Sequence, residues 1–146
     1  MTSVDKDRLN EELHAKASEF RQAILDAIPL DDIVFEQFPR GACGDTSDLL
    51  GEYFYRSQFG IWQYRCGWRK GHSHAWIEGD GLIVDITADQ FDDMDEAVIV
   101  TRDQSWHLGF TPIAGDGHPA LIATYDESTA QRLRSLYHRL FPQSED

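Results

Sequence analysis

Cationic residues, cysteines and long apolar runs are all scarce in this 146-residue chain. Thirteen Lys and Arg stand against 26 Asp and Glu, a formal net charge of −13 at pH 7. Such a surface repels phosphate backbones and anionic headgroups, so a nucleic-acid or membrane-surface binder is disfavoured. No stretch approaches 18 consecutive apolar residues, and the segment from Met1 to Asp7 lacks the basic-then-apolar order of a signal peptide. A soluble, cytoplasmic protein is therefore expected. The two cysteines, Cys43 and Cys66, are too few for a disulfide framework and are expected to be reduced. Hydrophobic residues make up 41% of the chain and aromatics 12%, enough to fill a core, and the length suits a single domain over 1–146.

Leu9, Leu13, Phe20, Ile24 and Ile28 recur at helical spacing, which predicts an amphipathic helix from about Asp5 to Ile28 that stops near Pro29. A turn-rich stretch from Phe38 to Asp45 leads into a second helix, for which Thr46 or Ser47 is the expected cap. Leu49, Leu50, Tyr53 and Phe54 form its apolar stripe, and Gly51 suggests a close packing contact. From Ile61 the period changes. Ile61–Trp68, Ser73–Glu78, Leu82–Thr87 and Ala97–Thr101 are short and rich in β-branched and aromatic residues, and they predict antiparallel strands. Weaker strands are expected near Gly109–Thr111 and Leu121–Thr124, then a helix over Asp126–Leu140. The acidic group Asp89, Asp92, Asp93, Asp95 and Glu96 is expected to be a solvated loop. The fold class is α+β: N-terminal helices packed on an antiparallel sheet, with a C-terminal helix.

The hairpin around Asp80-Gly81, a strong turn signal, brings two polar residues together. A two-residue loop pairs Gly79 with Leu82 and leaves His74 diagonal to Asp85 on one face. A four-residue loop places them directly opposite, and a three-residue loop separates them. In the first two registers the other face carries Ala75, Ile77, Leu82, Val84 and Ile86, an apolar set suited to the core. A carboxylate accepting from one ring nitrogen of a histidine fixes its tautomer and leaves the other nitrogen as a base. Cys43, between Gly41 and Gly44 at a helix start, is the matching candidate nucleophile; Asp45 opposes a thiolate there unless it faces solvent or caps the helix.

Gly41-Ala42-Cys43 before a helix, His74-Ala75-Trp76-Ile77-Glu78, and Val84-Asp85-Ile86-Thr87 followed by Gln90-Phe91 together resemble the transglutaminase-like cysteine hydrolase superfamily. The likeness spans about Phe38 to Phe91, and the His-Ala-Trp string with the Asp-x-Thr strand is its most specific part. Ile86 stands where that pattern often has proline. The resemblance implies a papain-like core, with Cys43 on a helix N-terminus and His74 and Asp85 on neighbouring strands as a catalytic triad. It further implies a thiol-dependent amide hydrolase or acyltransferase of protease, glutamine deamidase or transglutaminase type. Short stand-alone bacterial members, such as lasso-peptide leader proteases, fit the chain's length best.

Trp76 and His72, which share the strand parity of His74, are expected at the substrate site. Gln37, six residues before Cys43, has a spacing similar to the oxyanion glutamine of papain-like enzymes and joins them, although an exposed loop glutamine is the simpler account. His72-x-His74 with Cys43, Cys66 or His107 supplies zinc-type donors, but neither Cys-x-x-Cys nor His-Glu-x-x-His is present, and no metal or other cofactor is expected. Cys66 is expected to be packed and inert. The expected partner is a peptide or protein substrate, of cationic character given the acidic field; the alternative is a catalytically inactive peptide-binding or partner protein.

Overall fold

The computed structural model describes residues 2–28 and 32–144; Pro29 lies outside them. Three helices, α1 (Ser3–Ala27), α2 (Cys43–Arg56) and α3 (Glu127–Leu140), pack on a six-stranded antiparallel sheet. Its strands are β1 (Gln63–Arg69), β2 (His72–Gly79), β3 (Leu82–Asp85), β4 (Ile99–Thr101), β5 (Thr111–Pro112) and β6 (His118–Pro119). The order across the sheet is β4-β3-β2-β1-β5, with β6 also paired to β1. The α+β class is as expected. No helix among the described residues is long and apolar enough to cross a membrane.

The helix starts follow local chemistry in two cases. Thr2 and Asp5 form a reciprocal capping box at α1, and the Asp126 carboxylate accepts from the Thr129 N–H at α3. At α2 the expected cap moves. The helix begins at Cys43, with Ala42 as an N-cap that has no side-chain bond, and Thr46 and Ser47 are buried inside the helix. The Ser47 hydroxyl donates back to the Cys43 carbonyl (2.7 Å) instead of capping. Helix α2 also approaches the segment after β6 very closely. A Cβ on Gly51 would lie 2.3 Å from the Ala120 Cβ, so no larger residue fits without movement.

The β2–β3 hairpin adopts the two-residue register: Gly79 pairs with Leu82 and Ile77 with Val84. Asp80 and Gly81 both have positive φ (50° and 78°), as a turn matched to strand twist requires. One face of the hairpin, with Ile77, Leu82, Val84 and Ile86, joins the helices in the main core. The other buries Trp76 and Ile83 under Phe110, with Phe91 and Trp106 packed against them. Those three aromatics come from residues 87–110, a strap that adds β4 to the edge of the sheet and, before and after it, packs on the second face. The strap includes the whole acidic group, of which Asp93 is exposed as expected although paired, while Asp89 is half-buried. Asp89 pairs with Arg21 of α1 (2.9 Å), and Asp93 with Arg69 of β1 (3.0 Å). Over residues 121–124 the expected strand is absent; Ile122–Thr124 is a 3₁₀ turn whose Ile122 N–H donates to the Glu52 carboxylate (3.0 Å).

Candidate active site

Asp85, at the end of β3, is 1% exposed, as is His74 on β2. A buried carboxylate is costly without donors, and Asp85 has three. Its Oδ1 accepts from the Thr87 N–H (3.0 Å), the local bond that an Asp-x-Thr sequence favours. Its Oδ2 lies 2.6 Å from His74 Nε2 and 2.7 Å from His107 Nε2. An ionised carboxylate only accepts, so both imidazoles donate from Nε2. The diagonal reach anticipated for His74 and Asp85 is thus closed by a short hydrogen bond.

With Nε2 committed to Asp85, His74 presents Nδ1 to the remaining neighbours. The Gln90 amide stands 3.4 Å from it and is itself held by the Thr87 carbonyl (3.0 Å). Cys43, at the start of α2, is the other side chain that acts on the proton affinity of this ring, in the same direction as Asp85. Burial alone would lower the His74 pKa; the Asp85 charge and hydrogen bond, reinforced by Cys43, overturn it and push the imidazole up to about 9. Burial likewise works to raise Asp85, but the His74 charge and the hydrogen bonds from His107 and His74 hold it well below the usual carboxylate range.

Half-buried Cys43 is the first residue of α2. The first intrahelical bond runs from the Thr46 N–H to the Ala42 carbonyl (2.9 Å), so the N–H groups of Cys43, Gly44 and Asp45 precede the ladder and lie at the positive end of the helix. Asp45 does not oppose the sulfur unchecked. Its carboxylate accepts from Arg132 of α3 (2.7 Å), which also reaches Asp32 (3.1 Å). Cys66, the other cysteine, is buried on β1 with its sulfur against the Ala114 carbonyl (3.7 Å), and burial first, then Asp116, pushes its pKa up.

Two clefts flank this helix start, and Gly41 lines both. One, of about 590 Å³, includes Asp32, Val34, Gly44, Asp45 and Arg132. The other, of about 760 Å³, includes Arg40, Arg69, Lys70, His72, Gln90 and Phe91. His72 is therefore on a cleft wall, exposed, with its ring 6.2 Å from that of Phe91. Trp76 is buried instead, 5.7 Å from the His74 ring, and its indole N–H has no partner among the described residues. It backs the imidazole and does not line either cleft. Gln37 is exposed in the turn after a 3₁₀ segment, its carbonyl accepting from the Arg40 N–H (2.9 Å), and it lines neither cleft.

The strap supplies what motif reading left without a role. His107, noted in the sequence only as a zinc-type donor, is 4% exposed and anchored through Nε2, while its Nδ1 has no partner among the described residues. Phe91, Trp106 and Phe110 box the His74 ring at centroid distances of 5.1, 5.9 and 5.4 Å. Arg69 lies over all three aromatic rings, 4.6 to 5.3 Å from their centroids. Of these residues, Gln90 and Phe91 entered the sequence reading as part of the resemblance, and Trp106 carried no expectation there.

His74, Asp85 and His107 also have the donor types and the span, within 4.8 Å of one another, of a metal site. In the observed geometry both rings spend their Nε2 protons on one carboxylate oxygen. A zinc ion would have to displace both protons and take up bonds of about 2.0–2.2 Å in a region sealed from solvent. The arrangement is better suited to orienting a proton-carrying imidazole. No protein-family model, curated protein or solved structure matches the chain.

Proposed function

We propose that the chain is a thiol-dependent amide hydrolase or acyltransferase of the transglutaminase-like type, acting on a peptide or protein segment. The observation that carries this reading is the His74–Asp85 pair: a buried imidazole whose Nε2 is fixed by a buried carboxylate at 2.6 Å, with Cys43 the neighbour that adds to its proton affinity. A binding groove has no need of such an arrangement.

In the proposed cycle Cys43 attacks the carbonyl carbon and a carbon–sulfur bond forms as the carbonyl π pair moves to oxygen. His74 holds the proton that leaves the thiol on Nδ1 and passes it to the leaving amine as the carbon–nitrogen bond breaks. Asp85 keeps the ring oriented and stabilises its charged form throughout. The first-turn N–H groups of α2 are the donors for the oxyanion. Water then resolves the acyl-enzyme to an acid, or an amine resolves it to a new amide. A chain crossing Gly41, which both clefts share, would occupy the two of them two residues before the nucleophile.

The test is mass spectrometry of a defined peptide mixture incubated with the protein and with Cys43→Ala. A backbone cut, a one-dalton amide-to-acid change, or an isopeptide adduct that vanishes in the variant supports the reading and names the reaction. Peptides unchanged by the wild type, together with equal alkylation of Cys43 and Cys66 that His74→Ala does not alter, favour the inactive binding protein.

A further inference from the structure

The two clefts flanking Gly41 differ in the charge they leave free. In the smaller one the cation, Arg132, is already shared by Asp45 (2.7 Å) and Asp32 (3.1 Å). In the larger one Arg69 is committed in the same way, bonded through both terminal nitrogens to Asp93 (3.1 and 3.0 Å) and laid over the strap's aromatic rings. Arg40 and Lys70 remain. Both are exposed on the wall of the larger cleft, and neither side chain has a carboxylate partner among the described residues. His72 stands beside them, and Asp92 is the opposing carboxylate on that wall not paired with Arg69.

Other cations of the chain, Arg102 and Arg134 for example, also lack a carboxylate partner among the described residues. Arg40 and Lys70, however, line the cleft that also contains the Gln90 and Phe91 contacts of His74, and there they place positive charge where a substrate would lie. We propose that the larger cleft selects a substrate whose acyl part carries an acidic side chain, Asp or Glu, next to the carbonyl that Cys43 attacks. The specificity rests on the nucleophile reading above. It runs opposite to the preference for cationic peptides that the average charge suggests, and distance decides between them. In about 0.15 M salt the screening length is about 8 Å, so remote carboxylates are muted at the cleft, whereas Arg40 and Lys70 line it, against the single carboxylate Asp92 not paired with Arg69. Their positive charge adds to that of the α2 N-terminus beside Cys43.

The experiment compares two peptidyl chloromethyl ketones that differ in one residue, Glu against Lys. Cys43 alkylation is followed by intact mass, and each rate is divided by the same protein's iodoacetamide rate. The Glu reagent is expected to react about tenfold faster than the Lys reagent, since two unit charges near contact distance in a water-like dielectric suffice for that ratio. The preference should shrink at 1 M salt, fall toward unity in Arg40→Gln/Lys70→Gln, and invert in Arg40→Glu/Lys70→Glu. Circular dichroism and the iodoacetamide rate establish that each variant is folded. Equal rates for the two reagents, a faster Lys reagent, or a Glu preference that survives charge reversal overturn the specificity while leaving the nucleophile in place. Iodoacetamide that does not distinguish Cys43 from Cys66, and is indifferent to His74→Ala, removes the nucleophile and the specificity together.

Discussion

Asp85 sets the charge state of the site because two imidazoles share one of its oxygens, and its removal has a signed consequence. Asp85→Asn keeps the shape of the side chain but deletes the charge that outweighs burial at His74. The His74 pKa should then fall from about 9 to below its ordinary 6.5, since burial is opposed only by Cys43. Histidine titration by NMR reads this directly, and a His74 titration unmoved by the substitution would show that Asp85 is not its partner. Peptide turnover, once a substrate is found, should drop about 10²-fold or more, the usual scale for a mispositioned acid-base group. The same two shifts make stability depend on pH. His74 is raised on folding, so its contribution is complete below about 6.5 and is lost as the pH climbs toward about 9. Asp85 is lowered on folding, so its contribution is complete above its ordinary value and is lost as the pH falls through the acid range. Thermal melts of the wild type from pH 6 to 9.5 should therefore decline, and His74→Gln should flatten that decline. Parallel curves for the two proteins would refute the assignment.

Among the elements, the hairpin was the most legible and the strap the least. Asp80-Gly81 left three registers open, two of which place His74 and Asp85 on one face; the structure takes the two-residue loop, which also turns Ile77 and Val84 into the core. Helix α2 was legible in its stripe but not in its start. Thr46 and Ser47 are good capping residues, yet tertiary packing buries them and the helix extends back to Cys43. That extension is what puts the sulfur at the helix end. Outside β4, which was expected over Ala97–Thr101, the strap has no period to read. Its path is dictated by contacts distant in sequence, chiefly Arg69 over Phe91, Trp106 and Phe110, so His107 could not be assigned to Asp85 beforehand. Arg69→Met keeps much of the stem while losing the cation and the Asp93 pair. It should raise hydrogen exchange across residues 90–110 and leave α1 and α3 unchanged; uniform acceleration over the whole chain would argue that the strap is not a separable unit. Gly51→Ala tests the α2 contact. The added methyl would sit 2.3 Å from the Ala120 Cβ and 2.4 Å from its carbonyl oxygen, and overpacking of this kind costs about 1–3 kcal/mol in urea unfolding. A neutral effect would mean that the segment carrying Ala120 yields easily.

For the molecule as a whole, a net charge of −13 on a chain of 146 residues is a force in its own right. A globule of this length has a radius of gyration of about 15 Å, while the screening length is about 30 Å in 0.01 M salt and about 10 Å in 0.1 M. At low salt every excess carboxylate therefore feels every other across the folded protein, and the expanded chain relieves that repulsion. Ion pairs act the other way, since Arg21–Asp89, Arg65–Glu78 and Arg69–Asp93 are weakened by the same salt. Partly exposed pairs contribute about 0–1 kcal/mol each and the more buried Arg21–Asp89 is screened least, so relief of the net repulsion should win. The melting temperature at pH 7 is accordingly expected to rise between 0.01 and 0.3 M NaCl. Near the isoelectric point of about 4.7 the net charge is gone, and only the weakening of pairs remains, so the same salt step should leave the melting temperature flat or lower it slightly. A melting temperature that falls with salt at pH 7 would mean that the ion pairs, the strap's Arg69–Asp93 among them, hold the fold more strongly than its excess of carboxylates strains it.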